Sequence, residues 1–126
     1  EYVETVDQSF LKIMQCEHVE SVKNLDAILD VPGVDAIICG PMDLSVSAGH
    51  TAQFAHPEVR ALMQTIIDKC KAHNKPFGLS IGVDMELIKF WLDRGASFLS
   101  MGTPQDYFRE MSKTVIQQAR AIEAQR

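Results

Sequence analysis

Two carboxylates stand where a parallel α/β fold keeps its chemistry. Glu17 follows the strand-like run Ile13–Cys16, and Asp43 follows Val34–Cys39 within Gly40-Pro41-Met42-Asp43-Leu44. In such folds the ends of the strands and the loops after them carry ligand-binding and catalytic groups. Gln15 and Glu17 are two residues apart in an extended segment, so both point to one face. Oxygen donors of this kind suit a hard divalent cation, Mg2+ or Mn2+, which keeps several waters beside one or two carboxylates. Co2+ also accepts such ligands. A cation with open positions takes a bidentate 2-oxo acid and, as a Lewis acid, stabilises its enolate. Gly40 lets the backbone come close to a ligand, and the N–H groups around Met42 and Asp43 are suited to a substrate carboxylate. Ser80 lies on the third strand-like run, and Gly102 and Thr103 follow the fourth. By spacing alone the acids read more readily as helix N-caps or solvated loop residues than as metal ligands.

The remaining reactive side chains have plainer readings. His56 precedes Pro57 and reads as a helix cap or packing residue; His50 as an exposed loop residue near Asp43, within reach of the site's mouth as the second reading; His73 as an exposed helix end. His18 beside Glu17 is either a group supporting a metal ligand or an outward-facing helix start. Cys16 and Cys39 lie in strands and Cys70 on an apolar helix stripe, so all three read as small buried hydrophobes. Lys12 begins a strand, at the wrong end for chemistry, and no lysine ends one, which disfavours a Schiff-base mechanism. Trp91 reads as packing.

The elements that must position these groups alternate. Ile13–Cys16 precedes Val22, Leu25, Ile28 and Leu29, spaced as one helix face and stopped by Val31-Pro32-Gly33. Val34–Cys39 has the β-branched character of an inner strand. A loop is expected from Gly40 to about His56; Pro57 then opens a helix whose apolar face is Val59, Leu62, Met63, Ile66, Ile67 and Cys70. Phe77–Ile81 is the third strand, and Asp84 caps a helix burying some of Leu87, Ile88, Trp91 and Leu92. Ser97–Met101 is the fourth, and Thr103-Pro104-Gln105-Asp106 reads as a helix start leading to Phe108, Met111, Ile116, Ala119 and Ile122. The expected order is a short opening helix and then four β-α units, which means a parallel sheet: either an open doubly wound layer or half of a (β/α)8 barrel. The chain starts at Glu1 without methionine, inside a helical pattern, so further sequence is expected upstream.

Composition narrows the function. The 126 residues are 46% hydrophobic and 23% charged, as in one ordinary folded domain. The net charge of −5 offers no basic stripe for nucleic acid. No apolar run approaches a membrane span. Three widely spaced cysteines do not form a disulfide framework and fit a reduced, cytoplasmic setting. There is no Cys-x-x-Cys or His-x-x-x-His zinc spacing, no Gly-x-Gly-x-x-Gly after the first strand and no Gly-Lys-Ser/Thr loop.

An ordered series of motifs resembles the HpcH/HpaI aldolase family across essentially the whole chain. It runs through Gln15-Cys16-Glu17, Asn24-Leu25-Asp26, Val31-Pro32-Gly33-Val34-Asp35 and Gly40-Pro41-Met42-Asp43-Leu44-Ser45. It continues through His56-Pro57-Glu58-Val59, Gly78-Leu79-Ser80 and Met101-Gly102-Thr103. The resemblance implies the C-terminal half of a (β/α)8 barrel, residues 1–126 forming a single partial domain of four parallel strands each followed by a helix. It implies a metal-dependent, pyruvate-type aldolase that cleaves or forms 4-hydroxy-2-oxo acids with an aldehyde partner. Glu17 and Asp43 match the family's metal ligands; Gly40, Pro41, Met42 and Asp43 match the turn that holds the substrate; Gln15 matches a polar neighbour of the site. Ser80 departs from the apolar residue usual at its position, and Cys16-Glu17-His18 departs from the usual residues around the glutamate. The family's base histidine and substrate arginine belong to the other half of the barrel, so none of the catalytic pair is expected here. A half-barrel needs the missing half or another copy, and a homo-oligomer is implied. The alternatives are a citrate-lyase-like or malate-synthase-like enzyme acting on CoA thioesters, and a half-barrel serving as a catalytically incomplete assembly module.

Overall fold

The computed structural model describes residues 5, 6 and 9–125. The expected opening helix falls largely on residues outside that set. Four strands, β1 (Ile13–Cys16), β2 (Ala36–Cys39), β3 (Phe77–Ile81) and β4 (Phe98–Met101), form one sheet in sequence order. Every neighbouring pair is parallel. Helices fill each connection, so the α/β alternation read from the sequence is the fold.

The connections differ from expectation in two places. The apolar stripe after β1 is carried by two short helices, α1 (Val19–Lys23) and α2 (Leu25–Leu29). Asn24 ends one and begins the other. The stripe survives the break: Val22, Leu25 and Leu29 are all buried. Part of the stretch expected to be a loop, 40–56, is helical: α3 spans Pro41–Ser47. Pro41 at its first position presets the helical φ and has no N–H to leave unpaired. The long connecting helix α4 is Pro57–Ala72, with His56 as its N-cap.

Helices cover one face of the sheet. Ile37, Cys39, Phe77, Leu79 and Ile81 point into it and pack with Val59, Met63, Ile66, Ile67 and Cys70 of α4. Leu25, Ile37, Leu44, Val59, Ile66, Ile67 and Leu79 are wholly inaccessible; each such side chain contributes roughly 1.5–3 kcal/mol by leaving water. The opposite face is open: Ile13, Gln15, Ser80 and Ser100 are exposed on it. A tight contact on it lies between β3 and β4, where the Phe98 ring lies across Gly78, its partner in register.

Helix α5 (Met85–Leu92) is capped by Asp84, whose side chain accepts the Leu87 N–H as expected. Helix α6 (Pro104–Glu123) opens with the Thr103–Asp106 capping box read from the sequence. Its apolar residues do not line a core, however. No residue of α6 is buried, and Phe108 is 78% exposed. The helix leaves β4 held by its cap and by the Tyr107 hydroxyl, which donates to the Met101 carbonyl at 2.6 Å.

Candidate functional site

Glu17 takes its place from β1, and Gly40 from β2. The ladder pairs Gln15 with Ile38, so the next residues on that face, Glu17 and Gly40, lie side by side. Continued across the sheet, Gly78 pairs with Phe98 and Ser80 with Ser100. Glu17, Gly40, Ser80 and Ser100 therefore form one row at the C-terminal ends of the strands. Ser100 was not singled out from the sequence; its signal was the period-two alternation of β4, visible only once the register is fixed.

The Gln15 amide nitrogen donates to Glu17 Oε2 at 2.5 Å. Gly40 makes this arrangement possible. A Cβ there would collide with Glu17 Oε2 and stand 3.0 Å from Gln15 Nε2. The backbone of Gly40 is at φ −96°, so glycine is required here by close approach and not by dihedral angle. Asp43 is the third residue of α3, in the first turn, where a negative charge is favoured by the helix dipole. Gly40, as N-cap, has no side chain to satisfy the first N–H groups of α3.

Among the described residues Asp43 has no hydrogen bond or ion pair, and Glu17 has only Gln15; no lysine or arginine neutralises either acid. Two carboxylates without a cationic partner, Glu17 beside Gly40 and Asp43 in the first turn of α3, are donors of the kind a hard divalent cation takes.

Beside this cradle a cavity of about 320 Å³ opens at the ends of β3 and β4. Pro41, Met42 and Ser80, all expected near the substrate, line it, together with Phe54, Ile81, Trp91, Ser100, Thr103 and Asp106. Gln15, Glu17, Gly40 and Asp43 are not among its walls. Its mixture of apolar surface with a few hydroxyls is that of a small-molecule site. Phe54, from the loop after α3, carried no motif that marked it.

Ser45 anchors that loop. Among the described residues it is the one buried polar residue, and its hydroxyl donates to the Met42 carbonyl at 2.6 Å and accepts from the Ala52 N–H at 3.1 Å. Its carbonyl accepts the His50 N–H at 2.7 Å.

The histidines divide. His56 caps α4 through Nδ1, which accepts the Glu58 N–H, and His18 caps α1 in the same manner from Glu20, at the outward helix start that was one of its two readings. His50 lies in the loop as expected but is half-buried, not exposed: its ring stacks on His56 at 3.5 Å and meets Glu58 Oε2 at 2.7 Å. His73 is likewise no bare helix end, since it bridges Asp26 and Asp30 at 3.1 Å each. The three cysteines are buried and free of disulfides, as expected. Burial pushes the Cys16 and Cys39 thiols up, and that of Cys70 up to about 12. Trp91 is 2% exposed and packs edge-on to Phe90. No helix among the described residues is long and apolar enough to cross a membrane.

Comparison with known proteins supplies the context for this geometry. The chain is 34% identical over 113 residues to 5-keto-4-deoxy-D-glucarate aldolase of Citrobacter koseri, covering 90% of this chain and 44% of that protein. It is 35% identical over 102 residues to the hydroxypyruvate/pyruvate aldolase of Pseudomonas aeruginosa, covering 81% and 38%. The fold superposes on an HpcH/HpaI aldolase/citrate lyase family protein from Burkholderia cenocepacia J2315 with a TM-score of 0.87 at 24% identity, covering 94% of this chain and 46% of that one. The chain thus spans less than half the length of these relatives. The sequence profile of HpcH/HpaI aldolase/citrate lyase matches residues 5–110, the stretch that contains β1 through the start of α6 and every residue of the Glu17 cradle, and the chain belongs to that family.

Proposed function

We propose that this chain supplies the metal-binding and part of the substrate-binding side of a carbon–carbon lyase, a pyruvate-type aldolase acting on 4-hydroxy-2-oxo acids. The observation that carries the reading is the Gln15–Glu17–Gly40 cradle at the C-terminal ends of parallel strands. Glu17 and Asp43 would hold Mg2+ or Mn2+, which when bound supplies Lewis-acid polarisation of a 2-oxo acid. Gln15 holds one oxygen of Glu17 and leaves the other free to ligate. The first turn of α3 presents its uncapped N–H groups to the substrate carboxylate. Ser80, Ser100 and Thr103 offer hydroxyls to the aldehyde portion, while Met42, Phe54 and Ile81 exclude water from it.

The uncovered face of the sheet supports a second element of the proposal. Two parallel edge strands and an inner face bearing Ile13 at 41% exposure are what a half-barrel presents before its other half closes over it. The remaining strands, from the rest of a longer polypeptide or from another copy, would complete the barrel and bring the base and the arginine that the resemblance places there. The family also includes citrate lyases, so a CoA-thioester lyase is the competing substrate class.

The test is Mn2+ binding, followed by electron paramagnetic resonance, together with exchange of pyruvate methyl protons in heavy water. Both are measured for the chain and for Glu17→Gln. Binding that weakens in the variant supports the cradle as the metal site, and metal-dependent exchange lost with it supports enolisation there. Unchanged Mn2+ affinity in Glu17→Gln would remove Glu17 from the proposal.

A further inference from the structure

A cluster outside the Glu17 cradle has the donor set of a different metal. His50, His56 and Glu58 each place one ligand atom so that all three lie within 4.8 Å of one another. The sequence spacing matches no zinc motif; the turn between α3 and α4 brings the residues together. Two imidazoles and one carboxylate are borderline-soft donors, the set that zinc takes with a fourth position left for solvent. The Glu17 and Asp43 carboxylates are hard donors by contrast.

The backbone that carries His50 is already fixed. The His50 backbone is held at both ends, its N–H to the Ser45 carbonyl at 2.7 Å and its carbonyl accepting from Gln53 at 2.9 Å. Its Nε2 lies 2.7 Å from Glu58 Oε2, and its ring is stacked on that of His56 with centroids 3.5 Å apart. Donors on a tetrahedral zinc stand roughly 3.3 Å apart, given zinc–nitrogen bonds of about 2.0–2.1 Å. Reaching that spacing requires one imidazole to turn out of the stack, because a ring nitrogen binds a metal in the ring plane. The bond most readily given up is the 3.3 Å cap from the Glu58 N–H to His56. Glu58 is 61% exposed, so a cation reaches the cluster from solvent.

We propose that His50, His56 and Glu58 form a Zn2+-type site, distinct from the carboxylate cradle, that ties the 48–56 loop to the start of α4. The loop also carries Phe54, a wall of the cavity. A cation here fixes that wall from outside, so the site acts on the cavity through loop position and takes no part in the reaction itself.

Calorimetric titration of the chain with ZnCl2, alongside histidine ring NMR, tests this. One equivalent is expected to bind, shifting the rings of His50 and His56 together and leaving His18 and His73 in place. His50→Gln and Glu58→Gln are each expected to weaken binding by at least about tenfold, since even supporting residues of metal sites cost roughly 10–100-fold. Proteolysis within the 48–56 loop is expected to slow when Zn2+ is added. Unchanged affinity in His50→Gln, or no saturable binding to the unmodified chain, overturns the proposal. So does zinc affinity lost in Glu17→Gln and kept in Glu58→Gln, an outcome that leaves the Mn2+ cradle intact.

Discussion

The Gln15 amide donates to Glu17 Oε2 at 2.5 Å, and Gly40 stands against both side chains with no room for a Cβ. Three residues from two adjacent strands thus fix one carboxylate. Removing the amide in Gln15→Leu is expected to lower Mn2+ affinity by about 10–100-fold, the usual cost of losing a group that orients a ligand. Gly40→Ala is expected to cost at least as much, because the added methyl displaces the carboxylate itself. Electron paramagnetic resonance of Mn2+ titrations measures both, with circular dichroism as the control for folding.

Gly78 and Phe98 form a tight contact on the open face of the sheet. Gly78→Ala would drive a methyl into the Phe98 ring, and overpacking of this kind costs about 1–3 kcal/mol. Urea unfolding should show the loss. Adding Phe98→Leu to Gly78→Ala should recover part of it; a double variant no more stable than Gly78→Ala would show that the ring is not what the methyl meets.

Asp26 joins α2 to α4. Its carboxylate meets Lys69 Nζ at 2.8 Å and His73 Nε2 at 3.1 Å. The Lys69 hydrogen bond, with a smaller contribution from His73, holds the Asp26 carboxyl below its usual value of 3.8. A depressed folded-state pKa stabilises the fold above the unfolded value and ceases to do so as pH falls through the folded one. Stability from Asp26 is therefore present at neutral pH and lost below about pH 4. Urea midpoints of Asp26→Asn are expected to lie below those of the unmodified chain at pH 7 and to converge with them as pH falls below the usual carboxyl value of 3.8. The difference should also shrink in high salt, since Asp26 is 55% exposed.

All three thiols are buried, and burial pushes each above the ordinary range. The thiolate is the reactive form. A disulfide reagent at pH 8 is expected to label the folded chain slowly, at the rate of global or local opening, and to titrate three thiols at once in urea. Immediate labelling of one thiol in the folded chain would place that cysteine outside the core described.

Truncating the centre of the sheet tests the core. Leu79 is wholly buried between the strands and α4. Leu79→Ala is expected to cost about 2–5 kcal/mol, the range for a buried leucine that leaves a cavity. Denaturant unfolding monitored by Trp91 fluorescence measures it.

The sequence by itself determined the order of strands and helices, the caps at Asp84 and Thr103, and the buried stripe of α4. Each depends on residues within a few positions of one another, where turn chemistry and the 3.6-residue and two-residue periods act directly. It also carried the motif series that identified the family, because those residues are read in order along the chain. Only the tertiary structure decided which residues meet. The row of Glu17, Gly40, Ser80 and Ser100 follows from strand register, and register is set by the packing of side chains distant in sequence. The stacking of His50 on His56 follows from a turn built on buried Ser45. The open apolar face of α6 shows the same limit from the other side. Periodicity marks a face as one that belongs against something, but whether anything lies there depends on surfaces the helix itself does not encode.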